Sequence, residues 1–479
     1  MGFRALKSLV RIFLLISLVS GMLIIISANI KFVQATDVPS IINSNTIWTK
    51  TDSPYELKGP VLVNNGVILT IEPGTTVNLY NYYIQIDGTL IAKGNDSERI
   101  TFNGGKIVFS ESSSNWNEET NSGCIIENSD LSSSEINIAN SPKISKNFVL
   151  NLNIGGSPTV SNNTITGKLS IGGSPIILEN TVTNALPNSV SISGSPLISN
   201  NTLNCRILVT QGFPKISDNI LKDGIHVDAS GGSVEIISNV IDIRGDYNVV
   251  HVQAIPAIIL NNVITGNGKQ TGIYAFYSDN FNISGNTVSD CLTGINARFY
   301  GTLTVEHNEV KNNIDGIYVA YYKPHYVIGT PNSSALIRNN YIIGNSGKGV
   351  AQHHASATIL NNSITNNNVG IEIFQPTTVV YNNIYSNQYN LKLGISEDVN
   401  ATLNWWGTTD IAEINQTLYD LKYDFNLGSI TFTPFLTTLN KEATPKITIP
   451  EFPLLTILPL FLVATLSALV IKKRLFHNY

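Results

Sequence analysis

The residues of this chain best equipped for chemistry recur in pairs two positions apart. They are His226 and Asp228, His251 and Gln253, Tyr274 and Phe276, Asn296 and Arg298, Tyr318 and Ala320, Ala351 and His353, and Glu372 and Phe374. Six of the segments open on a glycine with an aliphatic residue after it: Gly224-Ile225, Gly272-Ile273, Gly294-Ile295, Gly316-Ile317, Gly349-Val350 and Gly370-Ile371. In a strand the residue after the glycine points inward and the next one outward, so the pairs read as one outward face. Tyr and Phe rings stack on sugar faces, while His, Asp, Glu and Arg supply directional bonds. All of the set except Gln253, Asn296, Ala320 and Ala351 are candidate ligand-binding residues. Large rings on a plain surface indicate a binding face; the competing reading is ordinary strand residues stacking on one another.

Catalysis finds less support. A glycosidase needs two carboxylates about 5–9 Å apart, and Asp228 and Glu372 fall six repeats apart in this alignment. A lyase needs a base beside a cation. Asp242 and Asp246 flank Arg244, an arrangement that fits a solvated corner. His353 and His354 are adjacent and point to opposite faces of a strand unless the chain turns there. His226 and His251 share a column without an evident third ligand. No metal and no cofactor is therefore expected.

The elements that carry these residues come from an internal repeat. An apolar-x-x-Asn-x-apolar motif is anchored at Asn147, Asn163, Asn180, Asn201, Asn219, Asn239, Asn262, Asn286, Asn308, Asn340, Asn362 and Asn383. Successive anchors lie 16 to 24 residues apart, with one gap of 32. A solenoid needs such a ruler, because each coil returns the chain to the same corner about 4.8 Å further on. An Asn at the corner tolerates a left-handed backbone and can donate to one stacked neighbour while accepting from another. Runs such as Pro158-Thr159-Val160 and Thr164-Ile165 read as short strands. The expected fold is all-β, a parallel β-helix of three short strands per coil. Coils up to about Leu221 carry small outward residues (Asn151, Asn153, Ser170, Ser191), and later coils carry the rings and ionisable groups. The long gap holds Tyr321, Tyr322, Lys323, Pro324, His325 and Tyr326, a loop beside the aromatic face.

The Asn-anchored repeat with its Gly-Ile strands resembles the right-handed β-helix repeat proteins, including NosD-like members and carbohydrate-binding and sugar-hydrolase repeats. The resemblance covers about residues 55–440 and implies the fold, its right-handedness and a substrate lying along the outward strand column. Gly66-Val67-Ile68-Leu69-Thr70-Ile71-Glu72-Pro73-Gly74-Thr75 resembles the opening coils of that family, and Asn404-Trp405-Trp406-Gly407-Thr408 its closing motif. After it, Ile411, Ile414, Leu418 and Leu421 fall at helical spacing over 411–423, which predicts a short helix capping the open end.

Both ends are hydrophobic. Arg4, Lys7 and Arg11 precede an apolar run from Ile12 to Ile30, so residues 1–35 read as a signal peptide or an uncleaved anchor. Leu454–Ile471 is apolar and is followed by Lys472, Lys473 and Arg474, as in a transmembrane segment with a cytoplasmic basic tail at 472–479. The expected organisation is an N-terminal cap and first coils over 36–120 and repeats over 121–400. A C-terminal cap follows over 401–440, then a linker with sorting motif over 441–453 and the span over 454–471. Pro450-Glu451-Phe452 with the apolar run and basic cluster is similar to the PEF-type sorting signal of archaeal surface proteins. That resemblance implies processing by an archaeosortase-like enzyme; a plain membrane anchor is the alternative.

The basic flanks of the two hydrophobic ends place everything between them outside the cell, at the cell surface. Charged residues make up 13% of the chain, and its net charge is −5. Of the 29 Lys and Arg, four lie in 1–35 and three follow Ile471, leaving 22 against 34 acids, or −12, between the ends. That balance disfavours nucleic acid as a partner. Cys124, Cys205 and Cys291 are too far apart for a metal motif or a disulfide framework and read as buried small residues. Sequons stand at Asn95, Asn162, Asn200, Asn282, Asn332, Asn361, Asn400 and Asn415. The function expected first is a non-enzymatic cell-surface protein that binds glycans or contributes to the envelope. A β-helix lyase or hydrolase of polysaccharides and a structural or adhesive stalk are the alternatives.

Overall fold

A computed structural model of the protein describes residues 35–184, 190–243, 245–322, 333–354 and 356–443. The expected signal, linker, sorting motif, span and tail lie outside the described residues, apart from Ala35 and Lys441–Ala443, as do Arg244, Asn332 and the loop from Lys323 to Tyr326. Among the described residues no helix is long and apolar enough to cross a membrane. Packing divides the chain into two units, Met1–Glu235 and Ile236–Tyr479.

From Thr159 onward the first unit stacks short strands in parallel, three to a coil. Thr159–Ser161, Thr164–Ile165 and Leu169–Ile171 pair in turn with Ile176–Leu178, Thr181–Val182 and Val190–Ile192 of the next coil. Alternation makes the wall: Val160, Ile165, Leu169 and Ile171 point in and are buried, and their partners Ile177, Val182, Val190 and Ile192 stack on them. β-Branched residues suit this pleated, one-side-buried environment, and each buried aliphatic side chain contributes about 1.5–3 kcal/mol. The second unit repeats the plan with longer strands. Ser334–Arg338, Tyr341–Ile343 and Lys348–His353 pair with Ser356–Leu360, Ser363–Thr365 and Val369–Ile373.

Asparagine holds the corner in both units. The backbone N–H and Nδ2 of Asn340 both donate to Oδ1 of Asn362 at 2.9 Å, and its Nδ2 also reaches the Val305 carbonyl at 2.9 Å. The same bonds run through Asn147, Asn163, Asn180, Asn201 and Asn219 in the first unit. In the second they run through Asn239, Asn262, Asn286, Asn308, Asn340 and Asn362. Two expectations about this ladder need correction. Its next member is Asn382, not Asn383, because Asn362 donates to Asn382 Oδ1 at 2.8 and 2.9 Å, and Asn382 donates in turn to Asn404. Nor does the ladder residue take the left-handed conformation. The residue before it does, as at Asn162 (φ 58°), Glu179 (55°), Asn261 (54°), His307 (55°) and Asn361 (52°). That turn delivers the following amide into the core.

A second ladder stands five residues further on. Asn313, Asn345, Asn367 and Asn387 are buried, and each of the first three donates its Nδ2 to Oδ1 of the next at 2.8–3.0 Å. Cys291 occupies the preceding rung, its N–H donating to Asn313 Oδ1 at 2.9 Å. The next coil's backbone, with this ladder beside it, accounts for the glycine that opens the outward segment. A Cβ at Gly316 would sit 2.5 Å from the Gly349 carbonyl oxygen and 3.1 Å from Asn345 Nδ2.

The closing motif is the last rung of the first ladder. Asn404 accepts from Asn382, and Trp406, two residues on, is buried where earlier coils place Ile384 and Ile364. The predicted capping helix is shorter than its spacing implied. It spans Ile411–Gln416, with Asp410 as N-cap accepting from the N–H groups of Ala412 and Glu413. Leu418 belongs instead to a strand that continues the stack on Leu391, and Ile411 and Leu421 are exposed. The chain then turns back along the coils. Leu403 N–H donates to Pro434 O at 2.7 Å and Leu436 N–H to Asn404 O at 2.9 Å. Asn440 N–H donates to Asn383 Oδ1 at 2.8 Å, Asn440 Nδ2 to Asn361 Oδ1 at 3.1 Å, and Asn339 Nδ2 to Glu442 O at 2.7 Å. Asn383 is thus one of the docking points of this returning strap.

Candidate functional site

The second unit places most of the candidates in two adjoining columns. Backbone register stacks His251, Tyr274, Asn296, Tyr318, Ala351, Glu372 and Lys392 one above another. Beside it run Gln253, Phe276, Arg298, Ala320 and His353. The glycine-based alternation fixes this: Ile273, Ile295, Ile317, Val350 and Ile371 are all buried. His226 and Asp228 lie in the first unit, where His226 stacks on Leu208. Burial, then the Arg206 guanidinium, pushes the His226 imidazole below its ordinary pKa.

The columns are more enclosed than an outward face suggests. Ala320, Ala351 and Glu372 are buried, and the rings are half-buried because they pack on each other. His251 meets Tyr274 edge-on at 5.0 Å, and Tyr274 stacks on Phe276 at 5.7 Å. Phe276 touches Tyr277 at 5.5 Å and Tyr322 at 5.1 Å, and Tyr277 reaches Tyr300 at 6.2 Å. A second group joins Tyr318 to His353 at 5.1 Å and His353 to Phe374 at 4.0 Å, with the Arg298 guanidinium 5.6 Å above the Tyr318 ring. Tyr277, Tyr300, Lys348 and Lys392 fall outside the pairing rule, since they stand at bends or just outside the Gly-x-x-x-x frame.

Two polar atoms on this face have no partner among the described residues, Asn296 Oδ1 and Arg298 Nε, and both are buried. Unsatisfied buried polar atoms cost about 1–3 kcal/mol each, so these two weaken the packing of this face. Glu372 differs. Its carboxylate is held by Lys348 Nζ at 2.9 Å and Lys392 Nζ at 3.2 Å. Burial works to raise its pKa, and the two lysines outweigh it and hold the carboxyl below its ordinary range. Burial lowers the His353 imidazole, Glu372 opposing. The site therefore presents a neutral imidazole and a charged triad.

Among the described residues the groups that shift Glu372 are the two lysines, and no carboxylate stands with them. Asp246 pairs with exposed Lys269 at 3.5 Å. A turn does fall between the adjacent histidines, since His354 has φ 55°, and their rings are 6.2 Å apart. Among the described residues no three His, Cys, Asp or Glu side chains group closely enough to hold a metal ion. The three cysteines are buried and free, with burial raising their thiols to about 11 at Cys124 and about 12 at Cys205 and Cys291. Of the described sequons, Asn95, Asn162, Asn200 and Asn400 are exposed, Asn282 and Asn415 are half-buried, and Asn361 is engaged by the strap.

Stacked parallel strands around an asparagine-lined corner define a parallel β-helix protein. Residues 223–389 match the family of the right handed beta helix region. No curated protein matches the chain. Among solved structures the chain is similar to a point mutant of the periplasmic alginate epimerase AlgG, at 14% identity over 83% of this chain and 82% of that one, with a TM-score of 0.24.

Proposed function

We propose that this is a cell-surface β-helix protein whose second unit binds glycans along its outward ring columns. The observation that carries the reading is the joined cluster of Tyr274, Phe276, Tyr277, Tyr300 and Tyr322 beside the half-buried Asn296 and Arg298 side chains. Rings give a sugar its apolar contact, and the two polar side chains give it orientation. Surface display rests on the hydrophobic ends and the PEF-like tail, where an archaeosortase-like enzyme would be the processing partner. The test is a glycan array probed with the purified protein. Binding that falls about tenfold or more in Tyr274→Ala and Tyr318→Ala variants of unchanged melting temperature supports the site. Equal binding by the variants removes it.

One observation favours a second reading, an enzyme acting on polysaccharide. A neutral His353 stands near the Lys348–Glu372–Lys392 triad and stacks on Tyr318, which puts a base beside cations. Unsaturated or reducing sugar ends released by wild type and not by His353→Ala would select this reading.

A further inference from the structure

We propose a separate site for neutral glycan in the first unit, at a rim of three tyrosines. The strand Thr76–Ile86 breaks its alternation midway: Leu79 and Ile84 point in, and the four residues between them face solvent. Tyr80, in a left-handed conformation at φ 56°, Tyr82 and Tyr83 are 50%, 37% and 40% exposed. None of these rings stacks on another among the described residues, in contrast to the second unit, where several rings stack in pairs. Beside the rim the next coil is almost bare. Tyr80 aligns with Gly104 and Tyr83 with Lys106, and a Cβ at Gly105 would lie 2.2 Å from the Tyr82 carbonyl oxygen. The coil after that offers Ser132 and Ser133. Rings thus border a low, polar floor.

Charge narrows the occupant. Lys58 is paired with Glu56 at 3.1 Å and Asp37 at 3.5 Å, and Lys106 with Glu135 at 3.3 Å. The Lys58 ammonium holds the Glu56 carboxyl below its ordinary range. Among the described residues each lysine of the rim already has a carboxylate partner, which disfavours a phosphate, a uronate or an anionic lipid headgroup. What is left is ring faces and amides: Asn81 and Asn103 are exposed, and Asn103 Nδ2 donates to Asn78 Oδ1 at 2.8 Å. Open aromatic faces next to planar amides, with all charge internally paired, fit an uncharged, hydroxyl-rich ligand.

The full-length protein in detergent is run on native gels containing hydroxyethylcellulose, glucomannan or dextran, with polygalacturonate as the charged control. Retardation by at least one neutral polymer is expected, weakened about tenfold in Tyr82→Ser/Tyr83→Ser, whose exposed positions leave the melting temperature unchanged. Tyr274→Ala/Tyr318→Ala keeps a component of that retardation, which separates this site from the second unit's. The inference is overturned if no neutral polymer retards the protein, if the rim variant migrates as wild type, or if only polygalacturonate acts. Rim-dependent sedimentation with zwitterionic vesicles and no response to sugars would also overturn it, in favour of a membrane contact.

Discussion

Glu372 is the residue on the candidate face whose environment makes the sharpest demand. It is buried, and the two lysines that hold it are each more than a third exposed. Removing the carboxylate leaves two ammonium groups facing each other, but both keep access to water, so the loss is about 1–2 kcal/mol rather than the larger cost of a fully buried pair. Because its folded pKa is lowered, this contribution is present above the unfolded carboxylate value and fades as pH falls through the folded one. A Glu372→Gln protein is therefore expected to melt below wild type at pH 7, with the gap closing from about pH 5 downward. Melting curves across that range check it; a gap that widens in acid contradicts the assignment. The triad was half legible in the sequence. Glu372 followed from counting after Gly370, whereas Lys348 precedes its glycine and Lys392 belongs to a coil with no Gly-Ile pair.

At the level of elements, the asparagine corner decides stability. Asn382 accepts two bonds from Asn362 and donates to Ile359 O, Val380 O and Asn404 Oδ1. Asn382→Ala leaves several of these groups buried without partners, a loss of about 3–5 kcal/mol. Asn383→Ala removes bonds to Ser363 Oγ and to Asn440 and should cost about 1–2 kcal/mol, since the strap is more open to water. Denaturant midpoints of the two variants separate ladder from strap. The one-residue error in reading the corner has a plain origin: Asn382 and Asn383 are adjacent and both fit the loose motif. The stricter rule is a core residue two positions after the ladder Asn, as with Ile165 after Asn163 and Ile384 after Asn382. The second ladder is not legible in the sequence because it has only four asparagines, ending at Cys291, and polar corners are common in this chain. Helical spacing over 411–423 misled because Leu418 answers to the strand below it, Leu391, rather than to its own neighbours.

For the whole molecule, the repeat specified the architecture and left the activity open, because each inward position is fixed by stacking while outward positions are free to vary. A stack stabilised by contacts between successive coils loses all-or-none unfolding as it lengthens. Packing here resolves into two units, so calorimetry is expected to give a van't Hoff enthalpy smaller than the calorimetric one. A ratio of one would mean the two units melt together.

The returning strap has a mechanical consequence. Stacked coils without it would be open to peeling from the C-terminal end, one rung giving way after another under a small force. The segment from Pro434 to Glu442 instead bonds to residues beside four successive rungs, Leu403 and Asn404, Asn383, Asn361 and Asn339. Tension arriving from beyond Ala443 would load those bonds together in shear and reach the terminal coil last. The strap works as a strain relief, of the kind that keeps a pull on a cable from reaching its joint.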